Sequence, residues 1–290
     1  YNNTASLNYA TVGGGWVNTT SGHAATVGGG SGNTVSGWYA TVGGGAGNTV
    51  SGTIATVGGG ESNLVTATHA TIAGGYNITV TGDYAAVGGG QDNSASGQEA
   101  FVGGGLGNQA TGTRAMVGSG WYNTASNNVA VVAGGASNTA SGEYSTVPGG
   151  SGNTAAGNFS FAAGRRAQAN NQGCFVWGGS TNSDVACNNN DRWIARASGG
   201  VYFYTSSDLS TGAYLASGGE AWQQVSSSDR ALKENFEPVD GQEILIRLAD
   251  VPITTWNYKA SETGARHIGP MAQDFYAAFS LGEDDKHLAA

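Results

Sequence analysis

Residues 31–45 read Ser31-Gly32-Asn33-Thr34-Val35-Ser36-Gly37-Trp38-Tyr39-Ala40-Thr41-Val42-Gly43-Gly44-Gly45. β-branched and aromatic residues fill two short runs, 33–36 and 38–42, and glycine closes each. The pattern predicts two strands and two turns, with glycine supplying positive φ. Fifteen residues cannot bury a face alone, so each coil must stack on another. The flanking chain provides the others. Glycine recurs at every fifteenth residue from Gly15 through Gly30 and Gly45 to Gly150, without insertion or deletion. Asparagine keeps step at Asn3, Asn18, Asn33, Asn48, Asn63, Asn93, Asn108, Asn123, Asn138 and Asn153, and only Ile78 interrupts it. The expected fold is mainly β, a parallel β-roll solenoid of fifteen-residue repeats.

Numbered from Tyr1, coil positions ten and twelve are small and apolar, as in Ala40/Val42, Ala70/Ile72 and Ala100/Val102. Period-two alternation turns them inward, toward position five (Val35, Val50, Val65, Ala95, Ala110). The asparagine at position three lies on the same inward face, where stacked amides can satisfy a thin core. Positions nine and eleven point outward and drift apolar toward Phe101, Met116 and Val131. So thin a core favours contact with other chains over a monomeric solenoid with a half-apolar surface. Three chains with parallel axes, packed through these two columns, are expected.

The chain has 290 residues, 51 of them glycine, and only 11% are charged. Collagen requires a glycine period of three and low-complexity disorder has none, so this glycine is architectural. Residues 1–160 hold one base, Arg114, and five acids, Glu61, Asp83, Asp92, Glu99 and Glu143; all other charges lie beyond. A net charge of −9 with no basic run longer than Arg165-Arg166 disfavours a nucleic-acid partner. No segment approaches the ~20 apolar residues of a membrane helix. The start at Tyr1, with no visible signal peptide, suggests a mature or excised fragment. Cys174 and Cys187 are expected to form one disulfide if the protein is extracellular; free buried thiols are the alternative.

The consensus N-T-A-S-G-x-Y-A-T-V-G-G-G-x-x resembles the YadA-like head repeats of trimeric autotransporter adhesins over residues 1–165. In that family each repeat is one turn of a left-handed parallel β-roll, and three rolls pack about a threefold axis. The exit F-A-A-G-R-R-A-Q-A (161–169) resembles that family's departure from its head. The resemblance implies a homotrimer through head and neck and a host-surface or polysaccharide ligand. Residues 1–169 are therefore read as the head and 170–227 as a β-rich neck, with strand-like runs at 174–177, 192–197, 201–205 and 221–225.

Residues 228–290 form a third region, expected to be a small α+β domain. Ser228-Asp229-Arg230-Ala231-Leu232-Lys233 precedes a helix-like run at 241–250, a strand at 251–259, and a strand turning into a helix at 267–279. This region resembles the C-terminal intramolecular chaperone domain of phage tail fibres, tailspikes and endosialidases. That family trimerises the fibre and then cuts itself before the serine of an S-D-x-x-x-K motif. The resemblance implies Ser228 as nucleophile and Lys233 as its base, and a domain truncated at Ala290. A serine hydroxyl needs such a base, and lysine serves once its pKa falls. The function implied is an extracellular, cell-surface or virion fibre of adhesin type. The alternative is a tailspike or tail fibre that binds or degrades surface polysaccharide.

Other signals are weak. His23 and His69 lie in different columns, and the cysteines have no histidine nearby, so no metal or cofactor is expected. Calcium-binding β-rolls repeat every nine residues with aspartate, unlike this chain. Asp92 and Glu99 could be offered as a glycosidase pair, but nothing in the repeats builds a cleft around them. Threonine at position eleven suggests an ice-binding face, but the column fails after Thr71.

Overall fold

The computed structural model describes residues 1–225, 234–257, 259, 264–281 and 285–286. The chain divides into two units, 1–205 with 212–224, and 206–211 with 225–290.

The first unit is a parallel β-solenoid with two long sheets. Sheet I stacks the pairs at positions four and five, from Thr4–Ala5 to Thr154–Ala155, and continues through Ala167–Ala169 to Val185–Cys187. Sheet II stacks positions eleven and twelve, from Thr11–Val12 onward, and ends with Phe161–Arg165, Phe175–Gly178 and Trp193–Arg196. Register is fifteen residues throughout the repeats, as in Thr34↔Thr49 and Thr41↔Thr56. Thirteen coils at ~4.8 Å each give a solenoid about 60 Å long.

The coil therefore continues beyond residue 169. Phe161 pairs with Phe175 and Ala167 with Val185, so the period changes while the stacking persists. Two runs read as neck strands belong to these last coils. The Cys174–Cys187 disulfide lies inside them, with both residues buried and Cα atoms 6.2 Å apart. Beyond the solenoid, Gly200–Tyr204, Gly212–Ala216 and Gln223–Val225 form a small three-stranded sheet.

The core is a thin double layer. Val35, Ala40, Val42 and their equivalents are fully buried between the two sheets. Each asparagine joins its own coil to both neighbours. Asn48 Nδ2 donates to Gly44 O (3.1 Å), Gly60 O (3.0 Å) and Asn33 Oδ1 (3.0 Å). Its Oδ1 accepts the Asn63 backbone N–H at 3.1 Å. The expected inward ladder is present, and Ile78 fills one rung, fully buried. Ile78 N–H still donates to Asn63 Oδ1 at 3.0 Å, but its side chain offers no acceptor to Asn93.

The unbroken glycine column has a steric cause. Gly45 sits at φ +91°, and a Cβ there would lie 2.0 Å from Gly60 O and 2.9 Å from Asn48 Nδ2. Its neighbour Gly44 would meet nothing within 4 Å, so that column admits Ser119.

One expectation requires correction. Residues 38–42 do not form one strand: only Thr41–Val42 is extended, and position nine is a left-handed corner. Tyr39 (φ 58°), Ile54 (φ 57°) and Val129 (φ 53°) adopt this conformation despite its steric cost. The inversion turns the N–H back along the axis, where Tyr39 N donates to His23 O at 2.9 Å and Ile54 N to Trp38 O at 2.8 Å. Position two is a second such corner, as at Val17 and Tyr122. Between these corners and sheet II, position one forms single-residue bridges from Trp16↔Ser31 to Ala136↔Ser151.

Candidate functional site

Sheet II presents its position-eleven side chains outward. Ala86, Phe101, Met116 and Val131 are consecutive partners in register, so their side chains form one column. Phe101 and Met116 are 40% and 39% exposed. Further along, Phe161 stacks on Phe175 with centroids 4.5 Å apart, and Trp193 follows at 6.2 Å. Phe203 and Trp222 of the small sheet extend the series at 6.0 and 5.6 Å. This makes an apolar stripe within the first unit, broken once where Thr146 stands between Val131 and Phe161; such exposed apolar surface marks interaction sites.

Position nine forms a separate exposed ridge at the corner. His69 stacks on Tyr84 at 5.0 Å and Tyr144 on Phe159 at 5.4 Å. An acid at each corner is engaged in a pair across coils, Glu99 at position nine and Asp92 at position two. Glu99 bonds Arg114 at 2.9 Å, which raises the Arg114 pKa, and Asp92 accepts from Asn77 at 2.6 Å. Asp92 and Glu99 thus lie on a solvated surface, each with a partner.

The last coils carry a polar clamp. Arg196 donates to Ser183 Oγ (2.8 Å), Thr181 O (3.0 Å) and Asp184 O (3.2 Å), while Arg166 pairs with Asp184 at 2.7 Å. These bonds hold the segment that lengthens this coil, and they position no reactive group.

In the second unit, α1 spans Gly241–Asp250, as the sequence suggests. Asp240 caps it, accepting from Gln242 N at 2.8 Å, and Glu243 pairs with Arg247 one turn along. Arg247 also donates to Ala278 O of α2, Ala272–Phe279, at 3.3 Å. Thr254–Trp256 pairs antiparallel with His267–Gly269, and Trp256 stacks on His267 at 4.7 Å. Neither helix buries a residue. Leu245 and Ile246 of α1 are 66% and 65% exposed, and Ile268 is 73% exposed. The secondary structure is therefore formed around very little core.

Ser228 and Lys233 lie outside the described residues. Among the described residues, no cluster of His, Cys, Asp and Glu could hold a metal, and no helix is long and apolar enough to cross a membrane. No protein in the curated set matches the chain. Residues 228–281, a segment that opens at Ser228, match the family described as chaperone of endosialidase.

Proposed function

We propose that this chain is part of a trimeric extracellular fibre whose C-terminal domain guides assembly. The observation that carries this reading is the chaperone-of-endosialidase match C-terminal to a long solenoid in the same chain. The solenoid is taken as an adhesin-type head like the YadA heads, and three copies meet through the apolar stripe of sheet II. The exposed Leu245, Ile246 and Ile268 find cover in the same assembly. The buried disulfide supports an oxidising compartment. A polysaccharide-degrading tailspike is the second reading; the partnered, exposed Asp92 and Glu99 make it the weaker one.

After assembly the domain cuts the bond between Ser227 and Ser228. Lys233 Nζ takes the hydroxyl proton as Ser228 Oγ attacks the Ser227 carbonyl carbon. The C–N bond breaks, the proton passes to the new Ser228 amine, and water hydrolyses the ester. Intact mass of the incubated protein tests this step, with a Ser228→Ala variant alongside. Two fragments divided at Ser228 from the parent, and none from the variant, are expected. Cleavage in both, or at another bond, removes Ser228 from the role.

A further inference from the structure

The outer face of sheet I takes no part in the contacts described above. Positions four and six flank the buried position five, so their side chains leave the core in one direction. Across eleven coils these columns hold 22 residues, and 19 carry a hydroxyl, as in Thr19/Ser21, Thr34/Ser36, Thr49/Ser51 and Thr79/Thr81. The exceptions are Leu64, Gln109 and Ala156; none of the 22 is charged or aromatic. All are exposed or half-buried. The pairing does not slip from Thr4↔Thr19 to Thr139↔Thr154. The position-six N–H groups continue the ladder, as Ser21 N to Val35 O and Ser36 N to Val50 O, both 2.8 Å. Among the described residues, Ser6 alone in these columns turns its hydroxyl onto a protein acceptor, Thr20 O at 3.3 Å.

The result is a two-dimensional grid. Hydroxyls repeat at ~4.8 Å along the axis and roughly 6.7 Å across each strand. An ordinary solvated face mixes charges of both signs, and a protein-contact face is apolar at its centre. This face is neither. An uncharged, regularly spaced hydroxyl array suits a ligand that is itself a rigid lattice of hydrogen-bonding oxygens, because only a lattice engages many weak points in register. Oxygens on a prism face of ice repeat at closely similar intervals. Sugars are held largely by stacking on aromatic rings, which this face lacks. The threonines at position eleven cannot do the same, since their column breaks at Ala86.

We propose that the threonine–serine face of sheet I binds crystalline ice. The fixed registry supplies the spacing, and the asparagine ladder holds that registry. The reading rests on the solenoid alone and is independent of the trimer.

The test is partition of the full chain into a slowly grown ice hemisphere beside a non-binding protein. Enrichment in the ice is expected, with loss of that enrichment in Thr79→Lys and, separately, Thr124→Lys. Thr113→Lys, in an exposed corner outside the grid, should partition like the parent. Circular dichroism and native mass verify that each variant keeps the parent's fold and assembly. Exclusion of the parent from ice overturns the proposal, as does undiminished enrichment of both grid variants. Retention on insoluble polysaccharide but not on ice, lost in the same variants, also overturns it and assigns the face to a polymer.

Discussion

Replacing Asn48 by leucine removes one rung of the ladder at nearly constant side-chain volume. The Asn63 N–H then loses its acceptor inside the core, which costs about 1–3 kcal/mol. The Asn63 Nδ2 bond to Asn48 Oδ1 (2.9 Å) is lost too, though Asn63 Nδ2 keeps Gly59 O and Gly75 O. Three bonds donated by Asn48 Nδ2 go as well, but two of their acceptors keep other donors. Gly60 O retains Ala46 N–H at 2.9 Å, and Asn33 Oδ1 retains the residue-48 N–H at 3.0 Å. Those losses stay near ~1 kcal/mol each. Burial of the leucine side chain returns about 1.5–3 kcal/mol. The net cost is about 2–3 kcal/mol, and the coil still forms, as the one holding Ile78 does. Urea unfolding at fixed protein concentration reads the global loss, and amide exchange at Asn63 reads the local one. An unchanged midpoint with unchanged Asn63 protection would refute the view that these amides hold the coils in register.

Other substitutions probe separate elements. Gly60→Ala should destabilise severely while Gly59→Ala stays near neutral in thermal melts, because only the first places a Cβ against a carbonyl, 2.1 Å from Gly75 O. Loss of the disulfide in a Cys174→Ala/Cys187→Ala variant should cost about 3 kcal/mol in urea unfolding, the loop-closure value for so short a loop. Asp208 titrates at about 2, below its usual 3.8, because the Ser210 and Ser206 hydroxyls donate to its carboxylate. Its loop bonds are therefore complete above the ordinary carboxylate pKa and vanish as pH falls through about 2. An NMR titration should follow that window, and an ordinary midpoint would show that the hydroxyls point elsewhere.

The solenoid was legible because three constraints act on fixed columns. A positive φ beside a carbonyl demands glycine at Gly45, an inward amide demands asparagine at Asn48, and a thin core demands alanine and valine. The left-handed corner at position nine was not legible, since Tyr39, Ile54 and Val129 give no sign of positive φ. Their conformation is set by backbone bonds between coils, and residue type does not record those. The coils holding Cys174 and Cys187 were hidden for another reason: period is a sequence property, whereas stacking needs only strand pairing. In the C-terminal unit the helix at 241–250 was legible as a helix-like run, and the structure adds its Asp240 cap. The roles of Ser228 and Lys233 rest on their motif.

Assembly of three chains through the sheet II stripe is the proposal on which the fibre reading stands. Native mass spectrometry of the intact protein tests it most directly, beside a Phe101→Glu/Met116→Glu variant that puts charge into the sheet II stripe. Three chains for the parent and dissociation to single chains for the variant are predicted. A parent of one chain, or a variant that stays trimeric, would contradict assembly through that stripe.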